Sequence, residues 1–525
     1  MLATLRKVCS LTCLVGCLFS AGAGAAELKI GFKAEVTSAD PHVLNGANRN
    51  IWAHVYESLV IQDQQLRPKP GLALSWQMIN PKTWEFKLRP NVSFQNGAIM
   101  NAEDVKYSIE RAMHLTGPRT FRTYLKDVES LNVTGPLTLQ VKTKAPSPTI
   151  PDNLGLIAII PKSLGTTITE ASFANGKSSI GTGPYKFVSW ANGQKIVLAR
   201  NPGYWGAKEP WDNVTFNFIP REPSRAAALL SGSVDIINDV NANILNSLKE
   251  FDMTSITSYM LNYIALDQFR DVSPFVRGTD GNPLKKNPLR DPKVRLALMT
   301  ATNREGIIKH LMKGDGTAAE QLVPKEFFGF DSTLKLPAHD LAKAKELLTQ
   351  AGYPGGFQMT IHCPNNRYIN DAKLCEAVAQ SFSQIGVATE VSTMPYSVFV
   401  GRAFGGGPNG EPEFSAFLVG YGAVTGDSLT GLMSTIHTSD KNTSAGVSNY
   451  GRYSNKQVDA LIEKAAQSTD EKAREALQKQ ATKLALDDVA IIPLIHLNAA
   501  WAMKKGLTIK PRADGFTMAM DIRAK

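Results

Sequence analysis

Apolar and polar residues alternate along Leu28-Lys29-Ile30-Gly31-Phe32, which predicts an opening strand that ends in a polar loop at 35–40. The alternation in Thr83-Trp84-Glu85-Phe86-Lys87-Leu88-Arg89 is stronger and reads as a strand with one wet face. A turn-rich return at 91–97 leads to Asn101-Ala102-Glu103-Asp104, where Asn101 can cap a helix and acids fill its first turn. Val105, Ile109 and Met113 then recur at helical spacing. Strand-like runs follow at 138–141, 195–199 and 214–219, with a Gly-Thr-Gly-Pro-Tyr turn at 181–185 between them. A helix is predicted at 221–230, and Gly232-Ser233-Val234-Asp235-Ile236 turns into a buried strand.

Helical spacing becomes more prominent from Pro292, at 294–302, 304–312 and 341–350, with Gly352 closing the last as a C-terminal cap residue would. A helical pair is predicted at 457–467 and 468–486, the second opened by a Ser468/Glu471 capping box. Strands alternating with helices over this length argue for α/β lobes. Chain length says the same: 525 residues exceed what one core holds, so two or three domains are expected.

The first 26 residues read as an export signal. Arg6 and Lys7 precede an apolar run at 8–19 and the small-residue tract Ala21-Gly22-Ala23-Gly24-Ala25-Ala26, with cleavage placed after Ala26. A lipoprotein site at Leu14-Val15-Gly16-Cys17, anchoring the chain through Cys17, is the minor alternative. Either route implies the periplasm. Three of five cysteines lie in the leader, leaving Cys363 and Cys375 as a disulfide pair, or as two separate buried thiols. The formal charge of +10 is scattered rather than blocked, which does not suit nucleic acid. No Gly-x-Ser-x-Gly, His-Glu-x-x-His or P-loop is present, so no enzyme class is indicated and no cofactor is expected. Gly405-Gly406-Gly407-Pro408-Asn409-Gly410 fits a dinucleotide fingerprint by letter. Pro408 and Pro412 forbid the helix start that would bind pyrophosphate, and the segment reads as a loop.

Seven landmarks in order carry a resemblance. Pro70-Gly71-Leu72-Ala73-Leu74-Ser75-Trp76, the stretch 83–97 running into Asn101-Ala102-Glu103-Asp104-Val105, and Gly181-Thr182-Gly183-Pro184-Tyr185 come first. Asn201-Pro202-Gly203-Tyr204-Trp205-Gly206, Asp291-Pro292-Lys293-Val294-Arg295-Leu296-Ala297-Leu298, Ala342-Lys343-Ala344-Lys345-Glu346-Leu347-Leu348 and Ile491-Ile492-Pro493-Leu494 follow. Together they resemble the extracytoplasmic solute-binding proteins of family 5, which include the dipeptide-, oligopeptide-, nickel- and opine-binding proteins of ABC importers. The resemblance implies a large type II-like periplasmic binding fold: two lobes, an extra domain, and a hinged cleft for ligand. Carried over, lobe I takes 27–60, 181–270 and 490–525, the extra domain 61–180, and lobe II 271–489. A monomer delivering its ligand to an inner-membrane permease and its ATPase is implied.

In that family a Gly-Trp-x-x-Asp-x-x-Asp/Glu-Pro segment faces ligand, and its first Asp holds a peptide's ammonium group. Here the segment is Gly420-Tyr421-Gly422-Ala423-Val424-Thr425-Gly426-Asp427-Ser428. Tyr421 falls at the Trp, Asp427 at the second acid, and Val424 at the ammonium anchor, which a Val cannot replace. Asp427 as a ligand contact and Asp427 as a mere cap are equally open. In the loop His362-Cys363-Pro364-Asn365-Asn366-Arg367-Tyr368-Ile369-Asn370-Asp371, Arg367 could grip a carboxylate and Tyr368 could stack on a ring. Alternatively, Arg367 pairs with Asp371 on the surface. Glu35, at the end of the opening strand, is a further candidate, whereas Trp52 is expected in the core. These residues favour a peptide-like, opine or sugar-acid ligand. An ordinary di- or oligopeptide receptor is the alternative, with a nickel complex third and a chaperone-like role as the rival class.

Overall fold

The computed structural model describes residues 26–117, 120–242 and 244–525, so the leader and Cys17 lie outside the described residues. The opening strand runs Glu27–Phe32 with Leu28 and Ile30 fully buried. It pairs in parallel with Asn213–Phe218 on one side and Ile236–Asn238 on the other. The helix Glu222–Leu230 connects those two neighbours and buries Ala226 and Leu229 against them. Covering both faces is the general requirement of parallel pairing.

Two long strands, Asp252–Leu266 and Ile492–Met503, form the spine of a twelve-stranded sheet. They are antiparallel neighbours, from Asp252 opposite Met503 to Ile264 opposite Ile492, and their register shifts between Thr257 and Leu261. One end of this ribbon joins the sheet of lobe I through Ile236–Asn238. The other end joins lobe II through Ala416–Gly422, which continues into Phe357–Pro364 and Val387–Met394. The irregular stretch is where the ribbon passes from one lobe to the other, and a local break in the ladder lets a strand bend.

A separate four-stranded antiparallel sheet is ordered Ala73–Asn80, Thr83–Leu88, Thr138–Thr143, Val128–Gly135. The helix Ala102–His114 packs on it, with Val105 and Ile109 in the same core as Phe86, Leu88, Leu139 and Val141. Asn101 caps that helix and forms a capping box with Asp104. In lobe II, Cys363 and Cys375 are joined by a disulfide that ties Phe357–Pro364 to the helix Asp371–Ser383.

Two sequence expectations are corrected, and one long strand was not anticipated. The last long helix spans Glu471–Asp487 and is capped by Asp470, which accepts from the Ala473 amide at 2.8 Å. Ser468 instead closes the preceding helix, Lys456–Gln467. The helix expected at 304–312 is one α-turn, Arg304–Gly306, widened into a π-turn over Ile307–Leu311. The spine strand Asp252–Leu266 carries no alternation signal, because its first half is only partly covered while its last six residues are buried on both faces.

Candidate functional site

The disulfide-anchored loop is folded by its own acid. The Asp371 carboxylate accepts from the backbone amides of Arg367 (2.8 Å) and Tyr368 (3.1 Å), so it serves main chain rather than the Arg367 guanidinium. That guanidinium lies over the rings of Tyr396 (5.0 Å) and Tyr368 (5.7 Å), is exposed, and makes no ion pair among the described residues. Cation–π packing holds it in place without neutralising its charge. The Tyr368 hydroxyl accepts from the Gly420 amide at 2.8 Å, and burial raises its pKa to about 12.

Position 420 admits Tyr368 because it has no side chain: a Cβ there would stand 2.7 Å from the ring. Two residues on, on the same face of the strand, Gly422 accommodates the ring of Tyr259 in the same way. Tyr421, between them, points to the opposite face. It packs beside Gly431 and the core of lobe II, and its hydroxyl is pushed well above the usual tyrosine range by burial.

The following loop closes against the small domain. The Val424 carbonyl accepts from Gln62 Nε2 at 2.9 Å, and the Val424 side chain packs on the core of that domain. Asp427 is buried. It caps the short helix Ser428–Gly431 by accepting from the Leu429 amide at 2.8 Å, and it pairs with Arg474 at 2.5 Å. Its carboxylate is thus committed within lobe II. Burial raises its pKa, and Arg474 opposes that shift.

Sequence reasoning missed Tyr259, which lines the cleft with Arg367 and Tyr368. Arg49 lies on the helix Gly46–Trp52, whose neighbours Asn48, Asn50, Ile51 and Trp52 are all buried. Trp52 is core, donating from Nε1 to the Ser38 carbonyl at 2.8 Å. Asn48 holds the Thr37 amide and Asn50 holds the Thr517 backbone, which fixes the helix against two segments and sets Arg49 beside Phe516 at 5.5 Å. Tyr259, on the spine strand, feels Asp514, Arg49, Tyr124 and Arg367 together, and burial lifts its pKa to about 12. A cleft of about 230 Å³ is lined by Lys33, Asp239, Tyr259, Arg367, Tyr368 and Asn498, among others. Both lobes and the spine therefore contribute. Glu35 is exposed on the loop between Lys33 and Thr37 and makes no bond among the described residues. Tyr259 had no signal in the sequence, since its strand was not legible.

Among the described residues no group of three or more His, Cys, Asp or Glu is arranged to hold a metal, and no helix is long and apolar enough to cross a membrane. Residues 67–443 match the family model described as bacterial extracellular solute-binding proteins, family 5 Middle. The chain is 26% identical over 504 residues to the glutathione-binding protein GsiB of Escherichia coli K12, covering 94% of this chain and 93% of that one. Its fold resembles that of the periplasmic binding protein DppA of Helicobacter pylori in complex with the peptide STSA, with TM-score 0.75, 23% identity, and 95% and 98% of the two chains covered. It also resembles NikZ of Campylobacter jejuni in complex with Ni(L-His), with TM-score 0.77, 23% identity, and 95% and 99% covered. With two lobes joined by a shared ribbon, a cleft lined from both, and this match across most of its length, the chain belongs to the family 5 bacterial extracellular solute-binding proteins.

Proposed function

We propose that this protein is the substrate-binding component of an ABC importer, capturing a small peptide-like, opine or sugar-acid solute that bears a carboxylate. The observation that carries the ligand class is Arg367. Its guanidinium sits on a disulfide-held loop in the cleft, packed on two tyrosine rings and free of any acidic partner among the described residues. A planar fork of donors in that state is a ready receptor for a carboxylate. The glutathione named for the E. coli relative is a ligand of that chemistry. Val424, sealed against the small domain, offers nothing to a peptide ammonium group, which leaves Glu35 as the free acid nearest the opening strand's end. The leader at 1–26 exports the chain to the periplasm, where it meets its permease as a monomer. Energy for import comes from the partner ATPase.

The test is a melting scan of the mature, refolded protein against di- and tripeptides, glutathione, opines, sugar acids and nickel–histidine. A ligand at one hundred times its Kd stabilises by about 2.7 kcal/mol. Acid-bearing solutes shifting the melt, with the shift abolished by Arg367→Ala, supports this reading. Equal shifts by peptides in both forms would make it an ordinary peptide receptor that does not use Arg367.

A further inference from the structure

His42, His54 and His437 are buried with both ring nitrogens bonded. His362 is buried with its ring stacked on Phe414, 3.9 Å between centroids. His496, on the spine strand Ile492–Met503, is also buried, at 3% exposure, yet neither of its ring nitrogens has a hydrogen-bond partner among the described residues. Burial pulls its pKa down to about 4, against the opposing effect of the Gln321 main chain, which lies near but does not bond. The ring is therefore neutral at pH 7, with one donor and one acceptor to offer. Buried polar groups in native proteins are rarely left so.

His496 lines a cavity of about 470 Å³, a volume typical of small-molecule sites. Its walls are largely apolar: Ile256 of the spine, Val323, Pro324, Phe327 and Phe330 of a lobe II loop, and Ala513 of the C-terminal segment. Gln65 of the small domain completes the lining, and none of these residues lines the cleft of Arg367 and Tyr368. Backbone register sets the histidine in place. The spine's pairing shifts between Thr257 and Leu261, and His496 is the first residue paired beyond the shift, opposite Leu261. On its other side His496 is paired with Thr317, and Ile495 with Ala318. Gly316 permits that approach, with φ of +140° at a position where a Cβ would collide with Ile495. The Thr257 and Thr317 hydroxyls meet at 3.1 Å beside it.

We infer that this cavity is a second ligand site, for a compact neutral molecule that is mostly apolar and carries one hydroxyl, which His496 binds. A hydroxyl both donates and accepts, so it satisfies whichever ring nitrogen the tautomer presents. The aliphatic and aromatic walls hold the rest of the molecule by burial. A charged group would lose its water against Val323, Phe327 and Phe330 with no buried opposite charge to meet it. Because the walls come from the small domain, the spine, the C-terminal segment and lobe II, an occupant acts at the hinge. It favours the lobe arrangement that brings Gln65 and Ala513 to Val323 and Phe327. The site does not depend on which solute fills the cleft.

Isothermal titration of the mature protein with 4-bromophenol and with its methyl ether, 4-bromoanisole, tests it, and co-crystals with each probe locate the bromine by anomalous scattering. The expected result is that 4-bromophenol binds wild type with a Kd below about 1 mM, as a good fit for so few atoms allows. Its bromine should lie in the cavity lined by His496 and Phe327. The ether cannot donate and should bind about three- to tenfold more weakly, the worth of one hydrogen bond. His496→Phe, which keeps a ring and removes its nitrogens, should bind the two probes alike. Equal affinity for the two probes in wild type, or a preference for the phenol retained in His496→Phe, overturns the proposal. Bromine found only in the Arg367 cleft or on the surface also overturns it, as does the absence of heat from either probe at about 10 mM. The wild-type comparison and the bromine position decide the matter even if His496→Phe does not fold.

Discussion

The ring of Tyr259 occupies the space that a side chain at position 422 would need, so Gly422 is the seat of the cleft's central tyrosine. Met260 is paired with Gly422 across adjacent strands, and the ring folds back over its neighbour's partner. Gly422→Ala should displace the ring and weaken solute binding about tenfold, with a stability cost of about 1–3 kcal/mol for overpacking. Calorimetric titration and urea melts read the two effects. Gly355→Ala, where an added Cβ meets nothing, is the control and should leave both unchanged. Wild-type affinity in Gly422→Ala would show that Tyr259 is not a ligand contact.

Asp427, buried, and Arg474, largely covered, form an ion pair within lobe II, so their loss is expected to be a folding defect before it is a binding defect. Removing one partner of such a pair costs about 3–5 kcal/mol. Arg474→Met should lower the urea midpoint accordingly while leaving affinity, measured on the folded protein, within a few-fold of wild type. An Asp427→Asn variant of full stability that no longer binds solute would instead assign Asp427 to the ligand.

Asp152, on the small domain's helix Ile150–Leu154, gives the cleft a pH dependence. Burial raises its pKa to about 7, with the charges of Asp427 and Glu471 from lobe II adding and Arg474 opposing. When the lobes part, the carboxyl returns to water and to its ordinary value. Closure therefore takes up a proton between that ordinary range and pH 7. Solute affinity should be highest near the ordinary carboxylate range, fall as pH rises toward 7 and level off above it, and Asp152→Asn should flatten that profile. A profile in Asp152→Asn identical to wild type would remove Asp152 as the cause.

The Cys363–Cys375 bond closes a short loop that contains Arg367 and Tyr368. In the chain-entropy account such a crosslink stabilises by about 3 kcal/mol. The double Ala variant should lose that order of stability in urea. It should also bind more weakly, because the loop must then be ordered at the moment of binding. Intact affinity in the destabilised variant would confine the bond to a structural role.

Elements with a one-face pattern were legible from the sequence. Val105 and Ile109 fall at helical spacing behind a capping Asn101, and Phe86 and Leu88 alternate with wet neighbours, so period and cap alone place them. The helix Leu341–Gln350 ends before Gly352, whose φ of +88° is one that glycine adopts without strain. The spine strands were not legible, since residues buried on both faces give no period. Among the candidate residues, the structure brings Arg367 and Tyr368 into the cleft beside Tyr259, turns Tyr421 away, commits Asp427 to Arg474, and leaves Glu35 exposed.

The sequence by itself determined the one-faced strands and helices with most of their caps and turns, and the family, because these rest on residues within a few positions of one another. Tertiary structure alone decided which charges face the cleft. Asn50 bonds to Thr517, 467 residues away, and that contact helps to set Arg49 beside the Phe516 ring. An arginine's role depends on whether an acid reaches it, and for Arg367 the acid of its own loop, Asp371, is already taken by main-chain amides. No local pattern records that a partner has been used elsewhere.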